Sequence, residues 1–169
     1  MGLGTLYFHN IVGRPYYKNI PLGLLFLNWI VQRVFKINNA LPFSCHYTST
    51  VIGIENMDVS ETFKISIAVS GGAYIMASGA KLTVGEDTIF AHNVCIQTIN
   101  HDFINRDKYI AKPVVIGNNC WLGNSVSIMP GVILGNNVTV GANSVVTKSF
   151  PCNVVIAGCP AKIIKSITS

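Results

Sequence analysis

Hydrophobic side chains recur every six residues between positions 116 and 151, in six consecutive hexads. The first position of each hexad is aliphatic in all cases: Ile116, Leu122, Ile128, Leu134, Val140 and Val146. The second position is glycine in four of the six, and the fifth is mostly apolar. Neither an α-helix, with about 3.6 residues per turn, nor a strand that alternates at every second residue produces this period. A period of six predicts a solenoid in which each hexad forms one short strand and one corner, with the aliphatic position inside.

The same period is present upstream in a less regular form. Residues 84–101 divide into three further hexads, VGEDTI, FAHNVC and IQTINH. Residues 46–83 contain the β-rich strings FKISIAV and AYIMAS between glycines, and we expect these strings to form the strands of irregular first coils. Residues 102–115 are polar, contain Pro113 and fit no hexad, so they predict a loop that leaves one corner of the solenoid.

These patterns divide the chain into three parts: an apolar and basic N-terminal segment over 1–45, a β-helix over 46–151 with its loop at 102–115, and a C-terminal tail over 152–169. We expect the first part to be helical around residues 20–35, which are strongly apolar but, at 16 residues, short for a membrane span. Two interpretations of residues 20–35 stay open. They form a helix packed on the solenoid or on a partner subunit, or an interfacial helix that touches an anionic membrane.

Composition and charge exclude some classes of protein. Hydrophobic residues make up 50% of the 169 positions, and charged residues only 11%. The formal charge of +5 is divided between the two ends of the chain, and no acidic residue precedes Glu55. Because no base-stacking motif accompanies this charge, we expect no nucleic-acid partner.

Five cysteines without a CxxC pair indicate a reducing compartment, which predicts a cytoplasmic protein. If residues 20–35 touch lipid, we expect the protein at the inner face of the membrane.

Five motifs stand between residues 84 and 165: NHDF at 100–103, IGNNCWLG at 116–123, PGVILG at 130–135, VGANSVVTKSFP at 140–151 and AGCPAK at 157–162. With these motifs the chain resembles the hexapeptide-repeat acyltransferases, in the branch of maltose- and galactoside-type and of exopolysaccharide and O-antigen O-acetyltransferases. The resemblance implies a left-handed parallel β-helix, an all-β fold. It also implies a homotrimer with active sites between subunits, acetyl-CoA as co-substrate and no metal.

The same resemblance assigns the general base to His101. An imidazole suits this role, because a sugar hydroxyl is a poor nucleophile until a base takes its proton. Asp102 follows directly; since neighbouring side chains on an extended backbone point to opposite faces, it either braces the loop or contacts the acceptor. Trp121 occupies the last position of its hexad and should face outward, where it lines the acyl or sugar site or packs against another subunit.

Residues that match the coenzyme A contacts of the family are small, polar or basic: Asn124, Ala142, Thr147, Lys148 and Lys165. Ala142 follows a glycine and lets an extended pantetheine arm approach the backbone, and Thr147 can donate a hydrogen bond. The two lysines supply positive charge for the nucleotide phosphates.

The acceptor is less well defined. Small-saccharide enzymes of this family carry an Asn and an Asp before the base, whereas residues 70–79 here offer only Ser70, Gly71 and Ser78. The sequence therefore predicts O-acetylation of a sugar hydroxyl in a glycan or its lipid-linked precursor. N-acetylation of an amino sugar and a non-catalytic trimeric β-helix binding protein are the alternatives. A solenoid carbonic anhydrase is excluded, because only His92 and His101 lie in the regular repeat and its zinc needs three histidines.

Overall fold

The computed structural model describes residues 20–167. Its helices are α1 (Leu22–Arg33) and α2 (Glu61–Val69), and a 3₁₀ turn covers Ile54–Asn56. The strands are β1 (Thr50–Ile52), β2 (Met57–Val59), β3 (Tyr74–Met76), β4 (Leu82–Val84), β5 (Ile89–Phe90), β6 (Cys95–Gln97), β7 (Ile99–His101), β8 (Tyr109–Ala111), β9 (Val114–Ile116), β10 (Trp121–Leu122), β11 (Ser127–Ile128), β12 (Ile133–Leu134), β13 (Val138–Val140), β14 (Val145–Val146), β15 (Val154–Ala157) and β16 (Lys162–Ser166).

Three sheets receive successive strands in turn. Sheet A contains β1, β3, β6, β11 and β14; sheet B contains β2, β4, β9 and β12; sheet C contains β5, β10, β13, β15 and β16. Ile128 of β11 pairs in parallel with Val146 of β14, three hexads later. Leu122 pairs with Val140 in the same way in sheet C. The predicted arrangement of one short strand per hexad is therefore present, with parallel pairing between coils.

The hydrophobic core lies between the three sheets. All six aliphatic first positions are at most 1% exposed: Ile116, Leu122, Ile128, Leu134, Val140 and Val146. The fifth positions are buried as well, including Ser144, whose hydroxyl donates to the Gly141 carbonyl at 2.6 Å and accepts from the Gly158 N–H at 3.0 Å. Burying an aliphatic side chain of this size contributes about 1.5–3 kcal/mol, so the repeat itself supplies the main stabilising term.

Close stacking of the coils explains the glycines and asparagines at the corners. A Cβ on Gly123 would lie 2.7 Å from the backbone nitrogen of Ala142 in the next coil, which leaves no room for a side chain. At another corner Asn119, Asn137 and Asn153 adopt positive φ angles of 54°, 57° and 60°. Their side chains form a ladder, with hydrogen bonds of 3.2 and 2.9 Å from coil to coil. Asparagine tolerates this left-handed conformation better than most residues.

The prediction of a strand for FKISIAV at 63–69 is wrong, because these residues form most of α2. Ser60 caps this helix by accepting a hydrogen bond from the Phe63 N–H at 3.4 Å, and Glu61 lies in its first turn. The helix stands where the first coil would place a strand of sheet C. Phe63 packs against Phe90 of β5, with ring centroids 4.9 Å apart. Helix α2 therefore covers the edge of sheet C that is formed by β5.

The loop expected over 102–115 is a β-hairpin that ends earlier than predicted. Strand β7 pairs antiparallel with β8, so that Ile99 lies opposite Ala111 and His101 opposite Tyr109. Sheet B resumes at Val114, which is fully buried and belongs to β9. The polar composition of the segment reflects its exposure rather than an irregular backbone.

Elements near both ends of the described chain lie outside the regular repeat. In residues 152–167, β15 extends sheet C in parallel, and β16 turns back against it in antiparallel pairing. Helix α1 is the helix expected within residues 1–45, and residues before position 20 lie outside the described range. No helix among the described residues is long and apolar enough to cross a membrane.

Candidate functional site

The hairpin presents His101 at its exposed end. The imidazole Nδ1 lies 2.7 Å from the backbone carbonyl oxygen of Arg106. Because a carbonyl oxygen only accepts, Nδ1 carries a proton and donates it, and in the neutral ring Nε2 then keeps its lone pair. The ring also packs across the hairpin on Tyr109, with centroids 4.7 Å apart. The hairpin therefore holds His101 in the tautomer of a general base acting through Nε2.

Asp102 makes its contacts within the hairpin. Its carboxylate oxygen Oδ1 accepts hydrogen bonds from the backbone N–H groups of Ile104 and Asn105, both at 2.8 Å. These two hydrogen bonds lower the pKa of the Asp102 carboxyl, because they favour its charged form. The contacts support the first of the two predicted roles, in which Asp102 braces the loop.

Two residues that orient His101 are not identified by the sequence. Arg106 acts through its backbone carbonyl, which no side-chain pattern reveals, and its guanidinium donates to the Asp102 carbonyl at 3.0 Å. Tyr109 faces His101 because the two strands pair in antiparallel register. A hairpin over this segment would place Tyr109 opposite His101, so a hairpin pattern in the sequence is the signal that could have identified Tyr109.

Thr147 and Lys148 lie at the same edge of sheet A as the hairpin. Cys95, Ser127 and Val145 are aligned across β6, β11 and β14, so the residues that follow each of them reach the same corner. Because two strand spacings separate β6 from β14, this places Thr147 about 10 Å from the strand that leads into the hairpin. Lys148 is exposed, with its ammonium nitrogen 5.7 Å from the centre of the Phe150 ring.

Asn124 and Ala142 stack at the neighbouring corner, between sheets C and A. The N–H of Asn143 donates to the carbonyl of Asn124 at 2.8 Å, which joins the two coils there. The side chains of Asn124 and Ala142 are exposed. The small side chain of Ala142 leaves the backbone of this corner accessible to an extended ligand.

Trp121 and Lys165 belong to the outer face of sheet C. The pairing aligns Trp121 with Thr139, Thr139 with Val155, and Val155 with Lys165. Three strand spacings therefore separate the indole and the lysine, about 15 Å. The indole is 53% exposed. Within one chain, Thr147 and Lys148 lie at the end of sheet A from which the hairpin leaves, whereas Trp121 and Lys165 lie on sheet C.

The described residues contain no metal site of the usual kind. Between positions 20 and 167, no group of three or more His, Cys, Asp or Glu side chains is arranged to hold a metal ion.

Comparison with known proteins identifies the repeat. Residues 113–148 match the model of the bacterial transferase hexapeptide (six repeats). WbbJ of Escherichia coli K12, whose name describes a lipopolysaccharide biosynthesis O-acetyl transferase, is 42% identical over 116 residues. The alignment covers 61% of this chain and 59% of WbbJ, so the chain spans about three fifths of that relative.

The chain is also similar to solved structures of acetyltransferases. A maltose O-acetyltransferase from Clostridium difficile 630 has a TM-score of 0.54 and 33% identity, covering 74% of this chain and 63% of that one. A hexapeptide-repeat acetyltransferase from Vibrio cholerae, complexed with acetyl coenzyme A, has a TM-score of 0.54 and 27% identity, covering 76% and 66%. The chain carries the hexapeptide repeat and is similar to sugar O-acetyltransferases, which confirms the resemblance inferred from its motifs.

Proposed function

We propose that this chain is an acetyl-CoA-dependent O-acetyltransferase that acts on a sugar hydroxyl in a glycan or its lipid-linked precursor. One observation carries the proposal: the hydrogen bond from His101 Nδ1 to the Arg106 carbonyl at 2.7 Å, which leaves a basic Nε2 on an exposed hairpin. A donating Nδ1 leaves Nε2 free to accept the proton of an acceptor hydroxyl. The names of the similar proteins, O-acetyl transferases of lipopolysaccharide biosynthesis and of maltose, support the reaction and the class of acceptor.

The proposed assembly is a homotrimer of left-handed parallel β-helices with active sites between subunits. Similarity to solved hexapeptide-repeat acetyltransferases supports the handedness. The arrangement of residues supports the assembly. His101 projects from the edge of sheet A, whereas Trp121 projects from sheet C of the same chain. A second copy that sets its sheet C against the hairpin would unite the two.

The exposed corners fit an elongated, anionic donor such as acetyl-CoA. Asn124 and Ala142 offer an open backbone with small or polar side chains, which suits a pantetheine arm. Lys148 and Lys165 are exposed and form no ion pair within residues 20–167, so their charges are available to phosphate groups. Thr147, at the end of sheet A from which the hairpin leaves, carries an exposed hydroxyl that can donate.

The mechanism follows from the state of His101. Acetyl-CoA supplies the acetyl group as a thioester when bound. His101 Nε2 accepts the proton of the acceptor hydroxyl as its oxygen bonds to the acetyl carbon and the carbon–sulfur bond breaks. The same Nε2 then returns the proton to the sulfur, which leaves neutral His101 and free coenzyme A. General base catalysis of this kind contributes about 10²–10⁴-fold.

The acceptor is expected to make contacts different from those of small-saccharide enzymes. Ser70 is buried and donates to the Phe90 carbonyl at 3.0 Å, so its hydroxyl is committed to the fold. Gly79, with φ at +73°, lies against the base of the hairpin and brings no functional group. Residues 70–79 carry no acidic or amide side chain, which favours a large glycan held over a wider surface than a free disaccharide.

A cytoplasmic location, at the inner face of a membrane touched by residues 20–35, completes the proposal. All five cysteines are unpaired, in keeping with a reducing compartment.

The test is release of the coenzyme A thiol from acetyl-CoA against a panel of free sugars, polysaccharides and lipid-linked glycans. We expect release that depends on one acceptor class and falls by about 10²–10⁴-fold in His101→Ala. Because the side chain is exposed, the variant should keep the unfolding midpoint and the acetyl-CoA affinity of the wild type. Acceptor-dependent release at an unchanged rate in His101→Ala, or no binding of acetyl-CoA by the wild type, would contradict the proposal.

A further inference from the structure

Helix α1 buries polar side chains that fix its rotation. Asn28 is fully buried and donates from Nδ2 to the Ala68 carbonyl at 2.9 Å, while its Oδ1 accepts from the Tyr47 N–H at 3.0 Å. Both partners are backbone groups of the body of the protein. Satisfied buried amides of this kind hold one orientation, because turning the helix would leave several polar groups unpaired.

Gln32, one turn later, repeats the arrangement. Its Nε2 donates to the Phe43 carbonyl at 3.1 Å, and its Oε1 accepts from the Cys45 N–H at 3.0 Å. The face of α1 that meets the protein is therefore built around two amides, with Leu25 as its buried apolar residue.

The outward side of α1 and of the turn after it is apolar. We call this surface the α1 apolar face; its side chains are 40–67% exposed and comprise Leu22, Phe26, Leu27, Trp29, Val34, Phe35 and Ile37. Phe26 and Trp29 stack on it, with ring centroids 6.2 Å apart. A surface helix normally turns its apolar side inward, so a contiguous exposed face of this kind marks an interaction surface.

The charged side chains of the segment that carries this face are all positive. Arg33 ends α1, Lys36 follows it, and both are exposed. No acidic residue occurs in the sequence before Glu55. Arg33 donates to the side-chain and backbone oxygens of Asn39, both at 3.2 Å, and to the Leu41 carbonyl at 3.4 Å, and not to a carboxylate. The positive charge beside the apolar face is therefore available to an anionic partner.

We propose that the α1 apolar face docks on an anionic lipid surface, with the helix axis lying along that surface. The helix has 12 residues and a length of about 18 Å, against about 30 Å for the hydrocarbon core of a bilayer, so it suits the interface and not a span. Exposed Trp and Phe side chains with flanking basic residues are typical of interfacial helices. This inference rests on and deepens the membrane contact of the proposed function, and it does not depend on acetyl transfer.

A second copy of the chain that meets this face with its own α1 apolar face fits less well. In a twofold contact each copy presents the same patch, so Arg33 and Lys36 would approach their own counterparts. Positions 20–54 contain no acidic residue to offset that repulsion. Anionic headgroups, in contrast, attract both basic side chains while the acyl region receives the apolar ones.

The two tryptophans of the chain allow a matched test. Trp121→Phe leaves Trp29 as the only indole, and Trp29→Phe leaves Trp121. With phosphatidylglycerol vesicles we expect the emission of Trp29 to shift to the blue and to be quenched by brominated acyl chains, while that of Trp121 stays unchanged. No response of Trp29, or an equal response of Trp121, would overturn the proposal.

Charge variants separate a lipid from a protein partner. Arg33→Gln with Lys36→Gln should weaken binding to phosphatidylglycerol vesicles by about tenfold or more, whereas Lys81→Gln, an exposed lysine elsewhere, should not. Binding should also fall with added salt and be weak on phosphatidylcholine. Equal binding to both lipids would contradict the proposal. So would a change in oligomeric mass in Phe26→Ser without a loss of vesicle binding, because it would assign the face to a second copy.

Discussion

Two positions of the same hexad, 128–133, differ in what they contribute to stability. Ile128 takes a first position and is fully buried, whereas Ile133 takes the last position of its hexad and is 53% exposed. We expect Ile128→Ala to lower the free energy of unfolding by about 2–5 kcal/mol, and Ile133→Ala by less than about 0.5 kcal/mol. Urea unfolding of the two variants measures the difference. Equal losses would contradict the placement of the core.

The sequence predicts these positions well, because the period of six decides directly which side chains point inward. It also predicts His101 as the candidate base from its motif. It does not predict the Arg106 carbonyl as the partner of His101, since a backbone group leaves no mark in the residue pattern. Ser70 illustrates the same limit, because only the structure shows that its hydroxyl donates a hydrogen bond to the Phe90 carbonyl.

Among the elements, the hairpin depends on Asp102. Because two backbone hydrogen bonds lower the pKa of this carboxyl, it binds a proton less readily in the folded protein than in the unfolded chain. Its support of the hairpin is therefore complete above its ordinary pKa of 3.8 and is lost as the pH falls through the lowered value. Asp102→Ala should speed hydrogen exchange at the Ile104 and Asn105 amides and reduce turnover.

Asp102→Asn is the matched control for the hairpin, because its side-chain oxygen can still accept both hydrogen bonds. We expect exchange at the two amides in this variant to stay closer to that of the wild type than in Asp102→Ala. Amide exchange followed by NMR makes the comparison. Unchanged exchange in Asp102→Ala would show that the carboxylate does not brace the hairpin.

The corner before β1 is expected to be sensitive to acid. The Thr48 N–H donates to His46 Nδ1 at 3.2 Å, and the Gly71 N–H donates to His92 Nδ1 at 2.8 Å. Burial, and then the charge of His92, lowers the pKa of His46 below 6.5. The unfolded chain therefore takes up a proton first, and the free energy of unfolding should fall as the pH drops through about 6.5.

His46→Gln tests this corner. Urea unfolding at several pH values between about 7.5 and 5.5 should show a smaller loss of stability in the variant than in the wild type. An identical pH dependence in His46→Gln would contradict the assignment.

Elements outside the strict period are harder to predict. The apolar string at 63–69 suits a strand by composition, but the capping hydrogen bond of Ser60 and the packing of Phe63 on Phe90 favour helix α2. For α1, composition predicts a helix and not its orientation, because the burial of Asn28 and Gln32 depends on backbone groups far along the chain. Tertiary contacts decide both cases.

At the scale of the whole molecule, one active site of the proposed assembly requires two copies of the chain. The hairpin with His101 leaves sheet A, while Trp121 and Lys165 lie on sheet C. Ala142, exposed at the corner between these sheets, offers a way to block the proposed donor groove without disturbing the core. We expect Ala142→Trp to raise the KM for acetyl-CoA while the unfolding midpoint stays unchanged.

The most direct measurement of a site shared between copies combines a variant without the base and a variant with a blocked donor groove, at an acetyl-CoA concentration well below the raised KM of Ala142→Trp. His101→Ala and Ala142→Trp are unfolded and refolded together, and release of coenzyme A is compared with that of each variant treated alone. If the base and the donor groove of one site come from different copies, mixed assemblies contain some intact sites, and activity should rise well above that of either variant. Activity that stays at the level of the separate variants, in assemblies shown to contain both chains, would contradict a shared site.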